Sequence, residues 1–238
     1  MHKVQFEIHM FHCFFKKKKT ISANEQSFIH VMEWANKIAN RNTHALSRKK
    51  EALHDLIKII MKPIQAEHIR NAYLSSPHNA ITEIKFPMDF FGFYPTDQEI
   101  TIKYLSHEDS PVKYSLKLSS DIVLPTCWHP SSLIYNLGSI GHQARPSGEF
   151  TQNCNHRVTL ILPMMIGIVT GGNHSITQGI LTGNGEITPS GLVDLSDELN
   201  KIYFNGKHWI SSTTNQIIGS PRYPELGWIW EIAKLLTK

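Results

Sequence analysis

The spacing of apolar residues changes along the chain, from a helical period in the first third to a strand period after Glu99. Phe28, Val31, Met32, Ala35, Ile38 and Ala39 follow the three-and-four spacing of one helix face and predict a helix over Asn24 to Ala39. A second helix, capped at Asn42 or Thr43, buries Leu46, Leu53, Leu56, Ile57, Ile59 and Ile60 and stops before Pro63. A third, short helix is expected over Ala66 to Leu74. Phe86, Phe90, Phe91, Phe93 and Tyr94 then form an aromatic connector between Pro87 and Pro95. Such a stretch packs beneath a domain or, if exposed, offers a platform for stacking bases.

Beyond it, Ile100, Ile102 and Tyr104 alternate with polar residues, as do Val112, Tyr114, Leu116 and Leu118, which predicts a β-hairpin. A short strand follows over Asp121 to Pro125 and a short helix over Ser131 to Ile140. Val158 to Val169 is the strongest buried β segment. A turn and a helix over Ile176 to Leu181 come next, ended by Gly183-Asn184-Gly185. Thr188 to Leu199 predicts another helix. Asn205-Gly206 marks a hairpin between Ile202-Tyr203-Phe204 and His208-Trp209-Ile210, and Glu225 to Leu236 closes as an amphipathic helix. The fold class expected is α+β: an N-terminal helical region packed on a mixed, mainly antiparallel sheet with helices. Three parts are expected: a flexible basic leader over 1–20, helices and connector over 21–95, and an α+β domain over 96–238.

Composition narrows the setting. With 41% hydrophobic and 18% charged residues among 238, the chain is an ordinary globular protein able to bury a core. Its formal charge of +4 is compatible with anionic ligands without demanding them. Three cysteines, none in a C-x-x-C pair, argue against a disulfide framework and a zinc ribbon, and for a reducing, cytoplasmic setting. No apolar run reaches the roughly 18 residues of a membrane span. In the leader, Lys16 to Lys19 follow an apolar block, the reverse of a signal peptide.

The candidate chemistry sits at Gly171-Gly172-Asn173-His174-Ser175, where the buried strand runs into a helix. Glycines let the backbone turn sharply and let a ligand approach it. Asn173 and Ser175 are good N-cap types, and a helix start presents unpaired N–H groups and partial positive charge to an anion. His174, in the first turn, is the candidate general acid or base. His156 and Arg157, at the mouth of the strand, are candidate ligand contacts, with Arg157 supplying a cation. Arg145 is a second candidate cation, and Trp128-His129-Pro130 a candidate pocket wall. The structural alternative is a tight turn whose polar residues only cap the helix. The histidines, 14 in all, include no H-E-x-x-H or H-x-x-x-H pair, so no metal ligand is assigned.

The segment Val169 to Ile180, with Asn155-His156-Arg157-Val158, Leu162-Pro163 and Gly183-Asn184-Gly185, resembles a group of bacterial proteins with a Gly-Gly-Asn-His-Ser signature. More remotely it resembles the ParB/sulfiredoxin-like superfamily, in which a strand leads through a glycine-containing turn and His-Arg into a helix, and the turn binds nucleotide phosphates. Gly171, Gly172 and His174 match that pattern. Ser175 stands where the superfamily has arginine, and Asn173 where sulfiredoxin has its cysteine nucleophile. The resemblance therefore implies a nucleotide- or nucleic-acid-phosphate-binding protein, with a nucleotide and Mg as cofactor and phosphohydrolase or nuclease chemistry as its enzymatic form. It does not carry sulfiredoxin activity. Two other functions remain open from the residues: a non-enzymatic module that docks a protein partner through the N-terminal helices, and a metal-dependent hydrolase built on histidines.

Overall fold

Ser22-Ala23-Asn24-Glu25 opens the first helix with a reciprocal cap. The Ser22 hydroxyl accepts from the Glu25 N–H at 3.2 Å, and the Glu25 carboxylate accepts from the Ser22 N–H at 2.8 Å. Such a cap contributes about 1 kcal/mol to a helix. The helix, α1 (Ala23–Ala39), buries Ala35 and lays Phe28, Val31, Met32 and Ile38 against the core. The computed structural model describes residues 22–41, 46–74, 90–92, 102–127, 130–142 and 145–238. The basic leader, the cap at Asn42 or Thr43, most of the aromatic connector and Trp128-His129 lie outside the described residues.

The second helix does not stop at Pro63. It runs unbroken as α2 (Leu46–Leu74) and absorbs the expected third helix. The hydrogen bond that proline removes would have reached the carbonyl of Ile59, and both Ile59 and Pro63 face solvent, where water can take over. The opposite face holds the second half in place. Met61, Ile64, Gln65 and His68 are buried, and Gln65 Nε2 donates to Val123 O at 2.8 Å. Ile59 and Leu46, expected in the core, are exposed.

The main sheet has five strands: β1 (Lys103–Ser106), β3 (Ile122–Leu124), β4 (Arg157–Leu162), β5 (Ile166–Gly171) and β7 (Gly191–Asp194), in the order β1-β7-β4-β5-β3. It is mixed: β1–β7 and β4–β5 are antiparallel, while β4–β7 and β3–β5 are parallel. β2 (Leu116–Lys117) pairs only with β6 (Glu186–Ile187), so the hairpin expected between residues 100–104 and 112–118 does not form. Its two halves find better partners elsewhere in the chain.

The long apolar run is a hairpin of two strands, not one strand. Met165 takes φ +59° in the reversal after Leu162. The run is apolar throughout because both sheet faces are covered. Ile161, Ile166 and Ile168 face one cluster, and Val158, Leu160 and Val169 face the other. The same burial overturns the helix expected over Thr188–Leu199. β7 lies between β1 and β4 and sends Val193 to one face and Leu192 to the other, an alternation only a strand provides.

One face carries α1, α2 and α5 (Pro224–Leu236) together with the sheet of β8 (Ile202–Phe204), β9 (Trp209–Ser211) and β10 (Ile217–Gly219). The Asn205-Gly206 hairpin forms between β8 and β9 as expected. Phe90 and Phe91 are fully buried, and Phe91 meets Trp209 and Trp230 edge-on, so neither is available for base stacking. The opposite face carries α4 (Asn173–Thr182) and Phe150; α3 (Pro130–Asn136) packs beside α4. The N-terminal helices therefore share one core with the C-terminal helix. Among the described residues no helix is long and apolar enough to cross a membrane.

Candidate functional site

Strand directions converge on one end of the main sheet. The carboxyl ends of β1, β3 and β5 and the amino ends of β4 and β7 meet there. In open sheets this end, beyond carboxyl termini, is where ligands commonly lie. The Gly171–Ser175 turn and Arg157 are both at this end.

The two glycines answer first to the protein itself. A Cβ on Gly171 would lie 2.7 Å from Asn155 O and 3.0 Å from Arg157 Nε. Gly172 has φ +73°, and a Cβ there would run into the His156 ring. The turn is thus closed from below by Asn155–Arg157. His156 is held to match: its N–H donates to Asn153 O at 3.0 Å, its Nδ1 accepts from the Asn153 N–H at 3.0 Å, and its ring packs 4.9 Å from Phe150. The accepting Nδ1 puts the proton of the neutral ring on Nε2. Burial holds its pKa below the usual histidine range. His156 is a wall of the turn.

Gly172 is also the N-cap of α4, in the left-handed conformation and without a side-chain cap. This corrects the expectation that Asn173 or Ser175 caps the helix. The first intrahelical bond runs from the Ile176 N–H to Gly172 O at 3.0 Å. The start of α4 precedes that ladder. Asn173 is buried, and its Oδ1 accepts from the Thr126 N–H at 2.7 Å, latching the segment after β3 to the start of α4. Its carbonyl accepts from Thr177 Oγ1 at 2.7 Å, and Cys127 Sγ lies 3.0 Å from that hydroxyl. Burial pushes the Cys127 thiol pKa up, so it is no ready nucleophile. His174 is half-buried in the first turn with Nε2 shielded from solvent, and Ser175 is half-buried.

Arg157 differs from its neighbours. It is exposed, and among the described residues it has no ion-pair partner. Arg145 is not brought to the turn by any contact: its Nη1 donates to Ile140 O at 3.2 Å within its own loop. Of the α2 cations, Lys58 pairs with Asp121 at 2.9 Å, and Lys62 donates to Gln65 Oε1 and Asp121 O. No three histidine, cysteine or acidic groups gather as a metal cluster among the described residues.

Residues that sequence reasoning missed adjoin Arg157. Ser106, His107 and Glu108 after β1, and Thr188 to Ser190 before β7, line a groove of about 370 Å3 together with Cys154 and Arg157. Only the pairing of β1 with β7, which sets Lys103 opposite Asp194, assembles it, so no local pattern announces it. A larger cavity of about 670 Å3 lies between the start of α1 and the β8–β9 hairpin and shares no lining residue with this end.

Fold and site together define an α+β protein with an exposed arginine, without an ion-pair partner among the described residues, beside a helix start at one end of a mixed sheet. Residues 14–238 match the family of unknown function DUF6710, and the chain belongs to that family. No curated protein and no solved structure matches it.

Proposed function

We propose that the protein binds the phosphate of a nucleotide or nucleic acid where Arg157 meets the first turn of α4, in the manner of a ParB/sulfiredoxin-like cradle. The observation that carries this reading is the exposed Arg157 guanidinium lying against Gly171, without an ion-pair partner among the described residues, beside a helix start whose N-cap is Gly172. Helix N–H groups and a guanidinium are complementary to phosphate oxygens. Arg157, arriving from β4, supplies the planar donor fork that Ser175 lacks, and lysine would not replace it. His174, in the same turn, is the group for acid–base chemistry if the bound phosphate is hydrolysed. Of the residues that motivate a docked protein partner, Leu53, Ile57, Ile60, Phe90 and Phe91 pack in the chain's own core, while Ile59 stays exposed.

Equilibrium binding of inorganic phosphate, nucleotides and short DNA and RNA, at low salt and with and without magnesium, tests the proposal. Binding is expected, and Arg157→Ala is expected to weaken it about tenfold or more, the worth of a charge-assisted hydrogen bond. Arg157→Lys should restore little of it. Absence of binding by every one of these ligands, or full binding by the alanine variant, defeats the reading.

A further inference from the structure

The groove beside Arg157 has its own order. The register that aligns Ser106 with Gly191, and Gly191 with Thr159, sets Glu108, Pro189 and Arg157, each two residues beyond, around the same end of the sheet. Because β7 lies between β1 and β4, the strand positions that lead to them, Ser106 and Thr159, stand two strand spacings apart, about 10 Å. Glu108 and Arg157 line one groove and do not pair with each other. Both are exposed. The groove therefore holds a cation and an anion, separated by a neutral floor in which Pro189 is buried.

Its walls are fixed from within. Gln152 accepts from the Thr188 N–H at 2.8 Å and donates back to Thr188 O at 2.9 Å. Beneath Glu108, His107 Nε2 accepts from the Tyr114 N–H at 2.9 Å, and Lys113 Nζ donates to the carbonyls of His107 and Glu108. The Glu108 N–H is held by Ser106 Oγ at 3.2 Å. These bonds occupy the backbone and leave the Glu108 carboxylate outward. A volume of about 370 Å3 is that of a small-molecule site.

We infer that this groove receives the nucleoside portion of a mononucleotide whose phosphate lies at Arg157, with the Glu108 carboxylate accepting hydrogen bonds from the nucleoside. The inference rests on the phosphate-binding reading of Arg157. An anionic group at one wall and neutral hydrogen-bond donors at the other match what the two side chains offer. Ribose hydroxyls and an exocyclic base amine are both such donors, and 2′-deoxy and amine-free nucleotides tell them apart.

Titration calorimetry of the full chain with inorganic phosphate and with the four ribonucleoside monophosphates tests the inference. A nucleotide should bind at least about tenfold tighter than phosphate, and Glu108→Ala should remove that advantage while leaving phosphate binding as it was. Repeating the phosphate titration at raised salt, which shortens the screening length, separates any long-range charge effect of Glu108 from direct contact. The alanine change removes only an exposed side chain, and a thermal melt of the variant confirms that it folds. If phosphate binds through Arg157 but nucleotides gain nothing, or Glu108→Ala keeps the gain, the groove assignment falls while the phosphate reading stands. If neither phosphate nor nucleotide binds the unaltered chain, both fall.

Discussion

The Gly171–Ser175 turn and the groove across β1, β7 and β4 share one end of the sheet, yet they are opposites. The turn is dense in motif residues and filled by its own protein: Asn155 and His156 press on the glycines, and Asn173 is engaged by Thr126. The groove carries no motif, yet it is open and lined by charged groups without ion-pair partners among the described residues. Glycines that would admit a ligand admit a neighbouring strand end equally well. The difference teaches that the turn's first task is to position Arg157 and the start of α4.

If that division is right, substitutions in the turn damage stability most. Gly172→Ala forces a side chain into the left-handed region and into the His156 ring. Strain and overpacking together are expected to cost about 2–4 kcal/mol. Urea denaturation should show the full loss, and a variant as stable as the parent would break the comparison. Asn173→Ala comes next. It leaves the buried Thr126 N–H without its acceptor, at a cost of about 1–3 kcal/mol. Binding by the fraction still folded should persist, because the lost bond faces the protein and not the ligand.

What was legible in the sequence divides along the same line. The hairpin at Asn205-Gly206, the closing helix and the helix after the glycine turn were readable because local chemistry fixes each. Gly183 ends α4 in the left-handed conformation, and the Asn184 N–H reaches back to Gly179 O at 2.9 Å. The cap at Ser22 went unread, although a serine followed three residues later by glutamate is its signature. The pairings of β1 with β7 and of β2 with β6 were not readable, because non-local partners decide them. Pro63 misled because a proline's effect depends on which way its missing bond faces. In the candidate site, Arg157 and the turn were legible as the two ends of one apolar run, although the run folds as a hairpin. Glu108 was not, since only the closed sheet brings it near.

Two buried histidines make a smaller, pH-dependent difference. His68 is fully buried, with Nδ1 3.2 Å from Pro125 O and Nε2 3.2 Å from the Tyr223 hydroxyl. Burial lowers its pKa, as it does that of His156. A histidine whose folded pKa is depressed binds protons more readily when unfolded, so unfolding takes up protons. Their contribution is fully present above the unfolded value of about 6.5 and is lost as pH falls from there towards the lowered folded values. Denaturation midpoints should thus fall on acidification below about pH 6.5. His68→Gln should flatten that slope more than His156→Gln, because His68 is the more deeply enclosed. Equal slopes in the parent and both variants would remove the histidines from the account.

The smallest effect on stability is the most informative. Arg157 is exposed and without an ion-pair partner among the described residues, so Arg157→Ala should shift the unfolding free energy by no more than about 0.5 kcal/mol. Its stem lies against Gly171, which sets the one route by which the change could reach the fold. A residue of the turn and a residue of the site then give opposite signatures. Gly172→Ala lowers the melting temperature, whereas Arg157→Ala leaves the melt alone and weakens phosphate binding. A substantial loss of stability in the arginine variant would mean that its guanidinium belongs to the packing of the turn, and the contrast between the filled turn and the open groove would collapse at the one residue that joins them.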